Sequence, residues 1–449
     1  MAEEGYISSE FRGFSRSIFL LDKFSICAKF RLYSTFYLIT GTDMAIHQNP
    51  FRPGAGQQPV YLAGRTKERD KFKQILEQRP VLKNLILTGL RGIGKTVLLE
   101  EFKPIAYEQH WLWANNEISE SASMTEENMA RRIVADLTSV LTPRISKRQS
   151  KNPVGFSSSQ NAEKTETEIP LDFGDLWGIY ESTPGLTGDK LKAVIQTARN
   201  LLDGGSVQGI IFAYDEAQNL SDQEKNGQYP LSTLLDVFST LQRDHSTTPV
   251  MIIFSGLPVL FPRLNEARTY TERMFEVLTL DKLSDRDARD AIEKPIELTK
   301  NPVRLSAPTI DGIVQFSGGY PYFLQYICKE IFDILGGDVF QEPAIPFREI
   351  ISKLDQDFFA PRWDRMTDRQ RDFIRVIANI ETLEGEFTAQ EIAEQSGKDL
   401  EKSFSASHVV QMLNLLIQKG FVQRNRHGKY ALALPLMAEF VQRQTGQVI

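Results

Sequence analysis

Between residues 64 and 284, short apolar runs alternate with stretches whose apolar residues recur at helical spacing. The runs are VLKNLILTGL, HWLWANN, GIIFAYDEAQN, PVMIIFSGLP and FEVLTLDKLS. A short continuous apolar run bounded by polar residues predicts a strand buried on both faces. The intervening GRTKERDKFKQILEQ, KTVLLEEFKPIAYE, Thr125–Leu141, Asp189–Leu202 and TLLDVFSTLQRD predict helices. This alternation predicts an α/β fold: a parallel sheet with helices on both faces. From Ser284 the pattern turns helical in DRDARDAIEKPI, APTIDGIVQFSGG and YPYFLQYICKEIFDIL, which predicts a small helical domain.

The last part of the chain has its own punctuation. Thr367 with Gln370, and Thr388 with Glu391, are capping boxes that open two helices. SASHVVQMLNLLIQKG predicts a third helix ending at Gly420, FVQRNRHGKYALALP two short strands around Asn425–Gly428, and Pro435 the start of a last helix. Elsewhere the pattern breaks. Arg144–Pro170 is polar and Ser/Asn-rich, and is expected to be a flexible insert. Residues 1–43 are rich in Phe, Tyr and Ser without a period, while Met44 opens a stretch that reads as an ordinary start. The expected division is a poorly ordered extension over 1–56, a sheet domain over 57–283, a helical domain over 284–354 and a C-terminal domain over 355–449.

Composition narrows the classes. The 449 residues are 41% hydrophobic and 24% charged, ordinary for a soluble multi-domain protein. The net charge of −6 supplies no global basic field, so nucleic-acid binding has to be local. Two cysteines, Cys27 and Cys328, stand in no metal-ligand spacing, which points to a reducing, cytoplasmic setting. The most apolar long stretch, Ser17–Thr40, is interrupted by Asp22, Lys23, Lys29 and Arg31, so no membrane association is expected.

The chemistry is concentrated in GLRGIGKT, residues 89–96. It spells G-x-x-x-x-G-K-T between a predicted strand and a predicted helix. Gly89, Gly92 and Gly94 permit a tight turn that aims N–H groups at phosphate oxygens, and the helix adds the positive end of its dipole. Lys95 supplies a charge for the β- and γ-phosphates, and Thr96 a hydroxyl for Mg²⁺. In IIFAYDEAQ, Asp215 at a strand tip can hold Mg²⁺ through water, and Glu216 can orient and deprotonate an attacking water. No Asn-Lys-x-Asp guanine-reading segment is present, so the expected nucleotide is ATP.

From Gly64 to Gln325 these motifs stand in the order of AAA+ P-loop ATPases, and they resemble the branch near origin-recognition initiators and STAND NTPases. GLRGIGKT and IIFAYDEAQ match the Walker A and Walker B motifs, so Ile93 and Val97 join the nucleotide-binding set. YLAGRTKERDKF resembles the adenine-flanking segment, with Arg65. IIFSGLP resembles the end of the sensor-1 strand, which implies that Ser255 lies near the γ-phosphate. RTYTERMFEVLTLDKLS resembles the segment carrying an arginine finger, and Arg273 is the matching residue; in such a homo-oligomer it reaches a neighbour's γ-phosphate. In FSGGYPYFLQ, initiators commonly carry an arginine in the helical lid; this chain has Pro321, as in the STAND pattern where a proline packs on the nucleotide. That departure favours a slow switch over a motor.

The order of three helices and a hairpin over Arg365–Gln442 resembles a winged helix. If it binds double-stranded DNA, Ser405, His408 and Gln411 enter the major groove while Arg424, Arg426 and Lys429 touch phosphates. Residues 361–449 carry 12 Lys and Arg against 11 Asp and Glu, which leaves a protein partner or effector as the alternative. Two readings follow: an ATP-dependent DNA-binding switch, or a STAND-like signalling scaffold whose winged helix contacts protein.

Overall fold

The computed structural model describes residues 49–446 apart from 79–82, 152–164, 245–247, 336–343, 381–384 and 427. The side chains of 147–151, 165–168, 425 and 426 are likewise outside the description. The expected 1–43 extension therefore lies outside the described residues.

All five expected strands form. They are β1 (Asn84–Thr88), β2 (Trp111–Glu117), β5 (Gly209–Asp215), β6 (Val250–Gly256) and β7 (Phe275–Thr279), with β3 (Ser146–Lys151) and β4 (Thr165–Pro170) lying between β2 and β5 in the chain. The five pair in parallel in the order β2-β5-β6-β1-β7. Successive side chains of a strand point to opposite faces, and both faces here are covered. On one, Ile210, Phe212 and Tyr214 pack with Ile252, Phe254 and helix residues such as Ile133 and Phe238. On the other, Ile211 and Ala213 pack with Ile253, Leu85 and helix residues such as Phe72 and Phe102. This two-sided burial is why the strands read as unbroken apolar runs.

Within the polar stretch at 144–170, expected to be a flexible insert, β3 and β4 pair antiparallel from Ser146 opposite Pro170 to Lys151 opposite Thr165. A ribbon of SKRQSK against TETEIP has no apolar alternation by which a sequence reading could find it.

Two boundaries also move. Residues 49–56, expected within the extension, are ordered. The Phe51 side chain is buried and meets Phe332 edge-on, ring centroids 5.1 Å apart. The Asn49 amide donates to Lys329 O at 2.9 Å and to Asp333 Oδ1 at 2.8 Å. The boundary expected after Leu354 falls inside one helical run, from Phe347–Leu354 through a π-helical turn at Asp355–Phe359 to Ala360–Trp363. A single apolar core continues through it: Phe359 stacks between Phe323 and Phe440, at 5.7 and 5.1 Å. Arg443 clamps Asp355 with two bonds of 2.8 and 2.7 Å.

Beyond this run come helices Asp368–Ala378, Ala389–Asp399 and Ala406–Gln418, the hairpin of β9 (Val422–Arg426) and β10 (Lys429–Leu432), and a helix Met437–Gln444. Both capping boxes form. The second helix ends at Asp399, and the last starts two residues after Pro435. A third strand, β8 (Glu386–Phe387), pairs with β10; two residues are too few to carry a period.

Candidate functional site

The strands run in parallel, so their carboxyl ends gather at one edge, where open α/β sheets bind ligands. The phosphate-loop residues follow β1 there. Gly92 and Gly94 have φ of 75° and 95°, a region that L side chains rarely adopt, so the turn requires glycine. The loop opens into the helix Lys95–Glu108.

Register assembles the acidic half. Tyr214 of β5 pairs with Phe254 of β6, which sets Asp215 beside Ser255. The Ser255 hydroxyl donates to Asp215 Oδ1 at 2.7 Å, and the Thr96 hydroxyl donates to Asp215 Oδ2 at 2.5 Å. A helix start and a strand end distant in sequence thus meet on one carboxylate. Ser255 itself is fully buried, so it orients Asp215 from behind. Glu216 has φ of 51°, a strained value for a non-glycine residue, of the kind that clusters at functional sites.

A residue that the sequence patterns did not single out holds Glu216. The Gln218 side-chain amide donates to Glu216 Oε2, while its oxygen accepts from the Leu257 N–H at 3.0 Å. A Cβ on Gly256 would stand 2.7 Å from that oxygen, so glycine at 256 keeps the seat open.

Lys95 Nζ donates to Gly89 O and Leu90 O, both at 3.0 Å. Burial lowers its pKa to about 8, although the charges of Glu216 and Asp215 oppose the drop. Arg65 is buried and donates to Ile93 O at 3.1 Å and Asp281 O at 2.9 Å, tying the loop to the segment after β7. Burial lowers its pKa as well. The Ile93 side chain is in the core beneath the loop, so only its backbone faces outward.

Arg65, Lys95, Thr96 and Glu216 border a cavity of about 500 Å³, lined also by Pro321, Tyr322 and Arg362 among others. One wall is the segment 52–59, another surprise of position: the Gln58 amide donates to Val97 O at 3.0 Å. The opposite wall begins the helix Pro321–Leu335, where the Tyr322 N–H donates to Gly92 O at 3.2 Å. Arg273 lies elsewhere. It is exposed just before β7, at the end of the strands away from the loop, and does not line this cavity. Its neighbour Arg268 is held by Asp236 at 2.6 and 2.9 Å.

Residues 61–253 match the family model described as AAA ATPase domain. The chain carries an AAA ATPase domain. Residues 356–441 match a second model, described as Domain of unknown function (DUF8462). No curated protein matches the chain. Among solved structures, the ORC2 protein of Aeropyrum pernix in its ADPNP-ADP complexes is 14% identical, covering 88% of this chain and 98% of that chain, with a TM-score of 0.50. Its ADP form is 15% identical at the same coverage and TM-score. The ORC1 protein of Aeropyrum pernix in complex with DNA is a weaker likeness, 15% identical over 86% of this chain and 94% of that chain, with a TM-score of 0.43. At these identities what is shared is the fold, which fits the AAA ATPase assignment.

The C-terminal candidates stand on the helix Ala406–Gln418 and the β9/β10 hairpin. Ser405 caps the helix Ala406–Gln418 and is exposed, as is Gln411 one and a half turns on. His408 is half-buried, its ring 5.2 Å from that of Phe404. Arg424 is exposed with its guanidinium 5.6 Å from the Tyr430 ring centre. Lys429 pairs in register with Arg426, whose side chain lies outside the described residues. Among the described residues no His/Cys/Asp/Glu group could hold a metal by itself, and no helix is long and apolar enough to cross a membrane. Cys328 is a buried free thiol.

Proposed function

We propose that the AAA ATPase domain binds and slowly hydrolyses ATP. Its nucleotide state would control homo-oligomer assembly and binding of double-stranded DNA through a C-terminal winged helix. The observation that carries this reading is the single cavity in which Lys95, Thr96 and Glu216 meet the lid helix and residues 357–362 of the C-terminal part. A ligand there touches every unit that would have to move.

The residue chemistry supports a triphosphate with Mg²⁺. The loop N–H groups and Lys95 suit phosphate oxygens. Thr96 and Asp215, already in contact, offer the hard oxygens that Mg²⁺ takes alongside phosphates and water. Bound there, the ion would neutralise charge on the phosphates. Glu216 would orient the attacking water and accept its proton. The Gln218 amide engages that carboxylate and lowers its availability as a base, which supports slow turnover. Pro321 in place of a lid arginine points the same way. Arg273, exposed and away from its own cavity, would complete a neighbour's site.

For DNA, the helix Ala406–Gln418 would enter the major groove through Ser405, His408 and Gln411, with Arg424, Arg426 and Lys429 on the backbone. The competing scaffold reading has its own observation. Val410 and Leu415 on that helix are 47% and 38% exposed, and the charge of residues 361–449 nearly cancels, both of which suit a protein partner.

The test is equilibrium nucleotide binding and turnover. Lys95→Ala should abolish tight ATP binding, and Glu216→Gln should keep binding and lose turnover. Unchanged affinity in the first variant would remove the phosphate-loop assignment; wild-type turnover in the second would remove Glu216 as the base.

A further inference from the structure

The cavity wall opposite the phosphate loop carries positive charge that the Walker residues leave unused. Arg362 comes from the short helix Ala360–Trp363, directly after the π-helical turn. Its guanidinium lies 4.1 Å from the centre of the Phe358 ring and donates to Phe358 O, and both residues line the cavity. Arg91, third residue of GLRGIGKT, lines the same end. Burial, and then the opposing charge of Arg91, lower the Arg362 pKa. Arg91 also opposes the charge of Lys95. Among the described residues neither arginine pairs with a carboxylate. Asp357, the acid on this wall, accepts from the Tyr326 hydroxyl at 2.7 Å.

Arg91 and Arg362 repel one another across a partly desolvated space, and a polyanion relieves that repulsion. The cavity has a direction. The lysine of such a loop reaches the β- and γ-phosphates, so the Arg91 and Arg362 end is the outer-phosphate end. Pro59, Tyr61, Leu62 and Ala63 give the same cavity apolar lining.

Arg91 has a second neighbour. A Cβ on Gly420 would stand 3.8 Å from its Nη2. Arg91 therefore sits at the carboxyl end of the helix Ala406–Gln418, where the helix dipole is negative.

We propose that Arg362, delivered from the helical run joining the lid to the C-terminal part, contacts the terminal phosphate of bound ATP together with Arg91. The difference between ATP and ADP is then read by the first helical turn of the C-terminal part and by the end of its third helix. The proposal rests on the ATP reading of the cavity and adds the residue that discriminates the two nucleotides.

The test is calorimetry on the full chain with Mg²⁺, comparing a non-hydrolysable ATP analogue with ADP. A hydrogen bond to a charged group contributes enough for a loss of about tenfold or more. Arg362→Ala should therefore weaken the analogue by about tenfold or more and leave ADP within about threefold. Arg362→Lys should recover part of the difference. Arg91→Ala, on an exposed side chain, should show the same selective loss and keeps the test open if Arg362→Ala does not fold. Equal changes for both nucleotides, or none, would overturn the assignment while leaving the ATP site intact. A wild-type chain that binds neither nucleotide would overturn both.

Discussion

Lys95 makes the nucleotide site pH-dependent in a specific way. Its ammonium is buried beside the phosphate loop, and that burial brings its pKa to about 8. The bound phosphates require the charged form, and their own charge holds the proton on Lys95 in the complex. Below pH 8 the free protein already carries the proton, so affinity is flat there. Above pH 8 each binding event takes up a proton, and affinity falls by up to tenfold per pH unit, or about 1.4 kcal/mol. Between pH 7 and pH 9 the expected loss is about tenfold. The charge of Glu216 is the largest influence raising that pKa, so Glu216→Gln should move the onset of the loss to lower pH. Arginine does not titrate in this range, so Lys95→Arg should flatten whatever binding it retains. The assay is ADP affinity by calorimetry from pH 7 to 9.5 at constant ionic strength. A wild-type affinity that stays flat to pH 9.5 would refute the account of Lys95.

Two other expectations concern residues that the fold places outside the Walker motifs. Phe51→Ala removes a ring buried against the lid helix and should cost about 3–5 kcal/mol, read by denaturant unfolding. Nucleotide affinity should weaken with it, because residues 52–59 line the cavity. A stability change under about 1 kcal/mol, small against that core-truncation range, would mean that the segment is not docked. Arg273→Ala should leave nucleotide affinity intact and lower turnover only at concentrations where subunits associate. Full turnover in an assembled variant would remove the shared-site role.

The parts legible in the sequence were those in which one local rule suffices. Double-sided burial made five strands visible as apolar runs, and glycine spacing with Lys95 and Thr96 spelled the loop. Thr367 and Thr388 announced their helices because a capping box is local. The missing parts depend on tertiary placement. Phe51 is one aromatic residue in a Pro/Gly-rich stretch, and only the lid helix beneath it gives it a core. Gln218 gains its meaning from the strand end that its amide oxygen meets at Leu257. Arg362 reads as one charge among many until the π-helical turn brings its helix to the cavity. The apolar core runs on across the boundary expected after Leu354, a continuity that depends on tertiary packing.

The central claim is that nucleotide in this cavity controls what the C-terminal part binds. The most direct measurement is fluorescence anisotropy of labelled double-stranded DNA with ATP, with ADP and without nucleotide, across a salt series. The account predicts binding that strengthens with ATP, weakens as salt rises and drops when Arg424 and Arg426 are changed to Ala. Absence of binding in all three nucleotide states, or binding indifferent to nucleotide, would contradict it.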